Sequence, residues 1–288
     1  MRRSRRAQLA LTAVLLAALT GCSEPGEEIY LEPKTDIVPS YDTAVAATLT
    51  IATGKDQHEP WVEGDPGSCE GFEAAVACAV AERLGYKRSE LAWTTISFDA
   101  GLDPGTAQEK GWDFALQRYS ITAQRRAVVD FSTPYYSTAK GVLTYMGSPA
   151  DGATSIEQLK QVRFGVQQGT TSAQVVREVI QPDTTITVFD NSEALTEALS
   201  NQEIEALVVD LPQAVYLANS GAVLGGVVVG QLSPSSGAKR ENLAIVLPKD
   251  SPLTSAVSAA VTDMSRDGTL DELANAWLAD YLDAPVLG

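Results

Sequence analysis

The residues best able to do chemistry lie between Arg118 and Tyr136, where the sequence reads RYSITAQRRAVVDFSTPYY. Two hydroxyl residues, Ser120 and Thr122, shortly precede Arg125. A guanidinium is always charged and presents a planar fork of N–H donors, so an arginine beside hydroxyl and backbone donors suits a carboxylate. The pattern predicts capture of an organic acid.

A second anion site is indicated in the segment QQGTTS at 167–172, between a predicted strand and a predicted helix. Thr170 and Thr171 are suited to cap the start of that helix. Free backbone N–H groups at a helix start also favour an anion, so the same loop can hold a carboxylate.

Asp210 ends an apolar strand pattern and precedes Leu211-Pro212. An isolated Asp in this place is typical of a helix N-cap. A carboxylate that faces a cleft beside an arginine is also what an amino acid requires for its ammonium group, and both interpretations stay open.

The scaffold for these residues is predicted to be α/β, because short apolar runs alternate with helical patterns. Strands are predicted at 48–53, 91–95, 112–116, 142–146, 162–166, 184–189, 205–209 and 243–247. Helices are predicted at 73–84, 172–180, 192–199, 212–218, 253–264 and 270–282.

The motifs resemble a known family. S-I-T-x-x-R at 120–125, followed by D-F-S-x-P-Y-Y at 130–136, is similar to the core of the type 3 extracellular solute-binding proteins, which deliver amino acids to ABC importers. Further motifs of that family follow in its order, between about residues 48 and 280: GFE at 71–73, GVQQGTT at 165–171, VVD at 208–210 and DGTL at 267–270.

The resemblance implies a type II periplasmic-binding-protein-like fold, with two α/β lobes joined by a two-strand hinge. Lobe 1 would comprise 48–143 plus 242–288, and lobe 2 would comprise 144–241. The hinge crossings are expected at 142–146 and 237–243.

By the same resemblance, Arg125 would grip the α-carboxylate of an amino acid, supported by Ser120 and Thr122. Thr170 and Thr171 would hold that carboxylate from the opposite lobe. The ligand would then bridge the lobes and stabilise only the closed form.

Asp210 would hold the α-ammonium, and Gln167 stands where some relatives carry a ligand-contacting lysine. The family's polar contact after the first strand aligns near Gly54, which has no side chain to offer. Trp61 is an aromatic candidate for the pocket wall, with a plain core position as the alternative.

Arg118 stands where many relatives have a glycine. It is either a solvated surface arginine or a second guanidinium in the pocket, which would favour an acidic ligand side chain. The segments LGY at 84–86 and LAW at 91–93 look like those of the glutamate-binding members from Gram-positive bacteria. The resemblance thus implies glutamate, or another acidic or polar amino acid.

The N-terminus has the pattern of an export signal. Four arginines precede a short apolar run, and Leu19-Thr20-Gly21-Cys22 is similar to a bacterial lipobox. Residues 1–21 are expected to be removed and Cys22 to be lipidated, which anchors the protein to the outer face of the bacterial cell membrane. Residues 22–47 are rich in Glu, Pro, Asp, Ser and Thr and are predicted to be a flexible tether.

The net charge argues against a nucleic-acid role. The formal charge is −16, and removal of residues 1–21 with their four arginines makes it −20. Such a chain is repelled by nucleic acid, although a local arginine can still bind an anion.

Two further cysteines, Cys69 and Cys78, lie in an exported chain, where disulfides persist. Cys69 precedes the helix that carries Cys78, so a bridge is expected if the geometry allows it. With His58 as the single histidine and no ligand-like spacing, no metal site and no cofactor are expected.

Two alternatives to a transport protein remain. An exported enzyme on the same fold, such as a cyclohexadienyl-dehydratase-like lyase, could use a carboxylate such as Glu59 or Glu63. A ligand-sensing protein could act through a separate partner. The main prediction is a non-enzymatic, monomeric binding protein whose partners are an amino acid and an ABC permease.

Overall fold

The computed structural model describes residues 41–55 and 57–287. The predicted export signal, Cys22 and most of the predicted tether lie outside the described residues. The last part of the predicted tether, 41–47, packs on the domain: Tyr41 stacks on Tyr86 with ring centroids 6.3 Å apart, and the Ala44 N–H donates to Asp113 Oδ1 at 2.7 Å. The tether prediction is therefore wrong for residues 41–47.

Strands and helices alternate along most of the described chain. The strands are β1 (Leu49–Gly54), β2 (Leu91–Ile96), β3 (Phe114–Ala115), β4 (Val129–Thr138), β5 (Lys140–Tyr145), β6 (Phe164–Gln167), β7 (Thr187–Phe189), β8 (Ala206–Asp210), β9 (Gly226–Leu232), β10 (Glu241–Pro248) and β11 (Val286–Leu287). The helices are α1 (Phe72–Arg83), α2 (Phe98–Leu102), α3 (Ala107–Lys110), α4 (Ala123–Arg126), α5 (Thr171–Val175), α6 (Ser192–Ser200), α7 (Leu211–Asn219), α8 (Thr254–Arg266) and α9 (Thr269–Leu278).

The first lobe is built on a sheet with strand order β2-β1-β3-β10-β4, in which β10 runs antiparallel to its neighbours. Both faces of the sheet are covered, as its near-continuous apolar strands require. Ile51 points into a core formed with α1, α8 and α9, whereas Ala52 points to the opposite face and packs near α2.

The second lobe is built on a sheet with strand order β11-β9-β5-β8-β6-β7. Alternation along β8 again divides the strand between two cores: Val208 packs on the α5 side, and Leu207 packs on the side of α6 and α7. The carboxyl ends of β6 and β8 carry the 167–172 loop and Asp210, so the two segments meet at one edge of this sheet.

Of the two predicted crossings between the sheets, the one at 142–146 is misplaced, and the one at 237–243 overlaps the observed return of the chain. β4 ends at Thr138 in the first sheet and β5 starts at Lys140 in the second, so the first crossing is Ala139, and the predicted crossing at 142–146 instead lies within β5 and just after it. The chain returns between Leu232 and Glu241. A third crossing was not predicted: β11 pairs in parallel with β9, which places the C-terminal strand in the second lobe.

Cys69 and Cys78 form a disulfide with Cα atoms 6.0 Å apart, which ties the segment before α1 to the helix itself. Gly71 at the start of α1 has φ +91°, and a Cβ there would lie 2.6 Å from the backbone of Val62. A glycine is therefore needed where the chain enters this helix. Within the described part of the chain, no helix has the length and apolar character of a membrane span.

Candidate functional site

A polar cavity lies between the two lobes, at the edges where both sheets present loop residues. Its polar and charged lining consists of Gln117, Arg118, Ser120, Arg125, Lys140, Gln167, Thr170, Thr171, Ser172, Ser192, Thr196, Asp210 and Gln213. Its apolar lining consists of Phe98, Leu195, Val208, Val209 and Leu217. Most of the residues singled out from the sequence thus meet in one cleft.

Arg125 is buried, with 7% of its surface exposed, at the C-terminal end of the short helix α4. Its Nη1 donates to the Ser120 carbonyl at 2.8 Å and its Nη2 donates to the Gly169 carbonyl of the other lobe at 3.0 Å. No carboxylate of the described residues forms an ion pair with it, and burial lowers the pKa of the guanidinium despite the field of Glu241. A guanidinium has five N–H donors, so three remain for an incoming anion.

The Thr122 and Thr170 side chains serve the backbone. Thr122 Oγ1 accepts from the Arg125 N–H at 3.1 Å and caps α4, and Thr122 does not line the cavity. Thr122 therefore supports Arg125 by fixing the turn that presents it, and its predicted contact with a ligand stays a prediction. Thr170 Oγ1 caps α5 in the same way but borders the cavity.

A buried lysine that the sequence did not single out lies in the centre of the cleft. Lys140 Nζ is 2.9 Å from Asp210 Oδ1 and 3.1 Å from Glu241 Oε2, and the lysine side chain is only 4% exposed. Burial lowers the pKa of Lys140, but the two carboxylates more than offset that effect, and the pKa is raised.

Glu241 joins the two lobes through one oxygen. Its Oε2 accepts from Thr171 Oγ1 of the second lobe at 2.6 Å, from Ser120 Oγ of the first lobe and from Lys140 Nζ. Burial raises the pKa of Glu241, but Lys140 and the two hydroxyls outweigh burial and lower it below the ordinary value.

Asp210 stands at the N-cap position of α7, yet its side chain makes no capping hydrogen bond. Its carboxylate instead binds Lys140, which is also its partner in the β5–β8 register. The capping interpretation of Asp210 is therefore wrong, and the acid borders the cavity.

Arg118 borders the cavity, so the surface interpretation is wrong. It has φ +53°, a conformation in which a side chain is strained and which glycine adopts freely. Its backbone N–H donates to Glu73 Oε1 at 2.7 Å, and its Nη1 donates to Gln57 Oε1 at 2.8 Å. These bonds hold the strained residue in place, with its guanidinium in the wall of the cleft.

Trp61 is fully buried and does not line the cavity. Its ring packs against Phe72 and Tyr136, and the Arg118 guanidinium lies 5.7 Å from its centroid. The predicted pocket-wall role of Trp61 is therefore wrong, and the ring supports Arg118 from behind.

Gly54 leaves space that another residue fills. A Cβ on Gly54 would lie 2.4 Å from Gln117 Nε2, and the Gln117 side chain lines the cavity. The side chain missing from Gly54 is thus replaced at the cavity by Gln117, from the loop that follows β3. Gln213, also not singled out, lies 2.8 Å from His58 Nε2 across the lobes and has an unpartnered Oε1 within the described structure.

The groups considered for other chemistry lie elsewhere. Glu59 and Glu63, the carboxylates suggested for a lyase, are exposed and do not line the cleft. Among residues 41–55 and 57–287, no three His, Cys, Asp or Glu side chains come together as a metal site would require.

Solved structures of binding proteins share this architecture. The ancestral amino acid-binding protein AncCDT-1, a precursor of cyclohexadienyl dehydratase, is 29% identical, with a TM-score of 0.64, and the match covers 81% of this chain and 95% of that protein. The two-lobed fold of type II periplasmic binding proteins, predicted from the sequence, is thereby confirmed.

Curated relatives are similar in length and moderately similar in sequence. The arginine-binding extracellular protein ArtP of Bacillus subtilis (strain 168) is 25% identical over 232 residues, which are 80% of this chain and 85% of ArtP. The L-cystine-binding protein TcyJ of Escherichia coli (strain K12) is 27% identical over 216 residues, 75% of this chain and 76% of TcyJ. The family model of the bacterial extracellular solute-binding proteins, family 3, matches residues 49–280, and the chain belongs to that family.

Proposed function

We propose that the protein captures an amino acid with an acidic or polar side chain, glutamate first, between its two lobes and delivers it to an ABC import permease. One observation carries the proposal: Arg125 is buried at the cleft, with no carboxylate partner in the described structure and three N–H donors to spare. Ser120 and Thr171 add one hydroxyl from each lobe beside it.

The charge of the lining supports an acidic ligand. Among the described residues that line the cavity, Arg118, Arg125 and Lys140 are cations and Asp210 is the one acid. Lys140 is paired with Asp210 and with the adjoining Glu241, so Arg118 and Arg125 are the two lining cations without an ion pair in the described structure. A second guanidinium suits the side-chain carboxylate of glutamate, and it would repel a cationic side chain. ArtP and TcyJ are named for arginine and cystine, so the preference for glutamate rests on Arg118 and not on these relatives.

The family and the N-terminal sequence support a place for the protein outside the cytoplasm, at the cell membrane. Two further relatives are named as binding proteins of ABC transporters, for glutamine and for arginine, which supports delivery to a permease. Lipidation of Cys22 would keep the protein at the outer face of the membrane, and a monomer suffices for the proposed role.

A thermal-unfolding screen of the purified protein against the common amino acids, and against prephenate as a lyase substrate, tests the proposal. A ligand at a hundred times its Kd adds about 2.7 kcal/mol to the stability, which raises the Tm by roughly 5–10 °C for a chain of this size. We expect that rise with glutamate. A rise with arginine alone would contradict the assignment of Arg118, and a rise or turnover with prephenate alone would contradict amino-acid capture.

A further inference from the structure

An internal ion pair contacts Ser120 and Thr171, which the proposed function assigns to a ligand carboxylate, and Asp210, which the family resemblance assigns to a ligand ammonium. Lys140 Nζ binds Asp210 Oδ1 at 2.9 Å, as a ligand ammonium would. The Glu241 carboxylate accepts from Thr171 and Ser120, as a ligand carboxylate would. The cleft thus carries its own ammonium and its own carboxylate, 3.1 Å apart.

The two members of this pair differ in their freedom to move. Lys140 is 4% exposed and lies directly opposite Asp210 in the β5–β8 register, so its ammonium is held on that acid from one strand to the next. Glu241 is 14% exposed and borders a more open cavity beside the cleft, which offers space for its side chain. An incoming carboxylate can therefore replace Glu241, whereas Lys140 stays on Asp210.

Lys140 remains a cation in this setting, because Asp210 and Glu241 more than offset the effect of burial on its pKa. A ligand carboxylate that replaces Glu241 would lie between Lys140 and Arg125 and would gain two cations. A ligand ammonium would meet an acid that already has its cation, together with the repulsion of that cation.

We propose that Lys140 stands in for the ligand's α-ammonium on Asp210, so that the cleft also binds carboxylic acids with no α-amino group, dicarboxylates above all. The inference rests on the proposed function, in which Arg125 and the two hydroxyls hold a ligand carboxylate. It makes Lys140 the residue that determines whether an α-amino group is required.

The inference predicts a small penalty for removal of the amino group. A hydrogen bond between a free Asp210 and an ammonium would contribute roughly one to two orders of magnitude in affinity. With Lys140 on Asp210, we expect the loss of the α-amino group to weaken binding by less than about tenfold.

Titration calorimetry of the wild-type protein with L-glutamate and glutarate, and with L-glutamine and glutaramate, measures that penalty directly. The members of each pair differ by the α-amino group. The inference is supported if glutarate or glutaramate binds with a Kd within about tenfold of that of the matching amino acid, or if it binds and the amino acid does not. A loss of a hundredfold or more overturns the inference and leaves the proposed function standing, and no binding by any of the four acids overturns both.

The substitution Lys140→Met identifies the cause. It frees Asp210 for the ligand, so the penalty for the missing amino group should rise to between about tenfold and a hundredfold. Lys160→Met, the same change at a lysine paired with Glu157 on the surface, should leave the penalty unchanged. An equal penalty in Lys140→Met and in the wild type would overturn the role of Lys140. The wild-type titrations need no substitution, so they decide the matter even if Lys140→Met fails to fold.

Discussion

Two buried cations face the same cleft and are held in opposite ways. Arg125 in the first lobe donates to two backbone carbonyls and has no acidic partner among the described residues, and burial lowers its pKa. Lys140 in the second lobe lies between two carboxylates, and its pKa is raised. The positive charge of Arg125 is left open to a ligand, whereas that of Lys140 is compensated within the protein.

This difference assigns the two cations different tasks. An uncompensated buried charge costs free energy in the empty protein and recovers it when an anion arrives. A compensated charge contributes to the folded state and loses that contribution when either partner is removed. Binding should therefore depend most on Arg125, and stability should depend most on Lys140.

The largest expected effect is on binding, from Arg125→Met. A guanidinium fork makes two charge-assisted hydrogen bonds to a carboxylate, each worth about 1.5–3 kcal/mol, so affinity should fall by about 10²–10⁴. Stability should fall less than in Lys140→Met, because the loss of bonds to two carbonyls is partly offset by removal of a buried charge that has no acidic partner in the described structure. Calorimetry with the ligand from the screen and urea unfolding measure the two quantities. Arg126→Met, at the exposed neighbouring arginine, is the control and should leave affinity unchanged. Unchanged affinity in Arg125→Met would show that Arg125 does not bind the ligand.

The next effect is on stability, from Lys140→Met. The change leaves Asp210 and Glu241 without their cation in a buried place, which costs about 3–5 kcal/mol. Urea unfolding of the ligand-free protein gives this number, with Lys160→Met as the surface control. If Lys140→Met proved no less stable than Arg125→Met, the contrast between the two cations would not hold.

A third cation, Arg118, sharpens the comparison because the task proposed for it is selectivity. Arg118→Gly removes the guanidinium from the cleft and gives the φ of +53° to the residue best suited to it. We expect affinity for glutamate to fall about 10- to 100-fold, affinity for glutamine to change little, and stability to change by less than about 1 kcal/mol. Parallel titrations with both amino acids measure the ratio. An equal loss for glutamate and glutamine would mean that Arg118 acts on the fold of the pocket and not on the ligand's charge.

The smallest effect concerns acid. The pKa of Glu241 is below its ordinary value of 4.5 in the folded protein, so the stability that it contributes is present above that value and is lost as the pH falls through the lower, folded value. Arg125 keeps its charge over this range, so its contacts should not respond. Urea unfolding at pH 7, 5 and 3 should show that the free energy of unfolding falls less with acid in Glu241→Gln than in the wild type. Glu178→Gln changes an exposed acid, and its unfolding free energy should fall with pH as that of the wild type does. The same pH dependence of stability in all three proteins would contradict the role of Glu241.

Much of the fold could be predicted because its signals are local. The alternation of β1 and β8 between two cores, and the apolar positions of α1, are set by the periods of strand and helix. The predicted strands at 48–53, 91–95 and 205–209 each differ from β1, β2 and β8 by about one residue. β4 and β9 carry no prediction, although both lie in long sheets. Their Val, Phe, Tyr and Thr residues favour strands, but Pro134 in β4 and the two glycines in β9 interrupt the pattern along the chain.

The candidate site was predicted in part, and the errors share one cause. Arg125, Ser120, Thr171 and Asp210 were found because they lie in motifs. Trp61 was misplaced because a sequence does not state which way a side chain points, and its ring is fully buried in the core. Thr122 caps the helix that presents Arg125, a role that its place in the motif did not reveal. Lys140 and Glu241 were missed because neither is part of a motif.

The sequence by itself determined the α/β alternation, the family and an arginine suited to a carboxylate, since each depends on residue type and spacing along the chain. The tertiary structure decided which charges are already paired. Lys140 and Asp210 are 70 positions apart, and they meet because β5 and β8 pair in one register, while Glu241 reaches them from the other sheet at the second crossing. Ion pairing acts over a few ångströms. Whether a buried cation is already paired or is free to bind an anionic ligand therefore depends on neighbours that only the folded chain brings together.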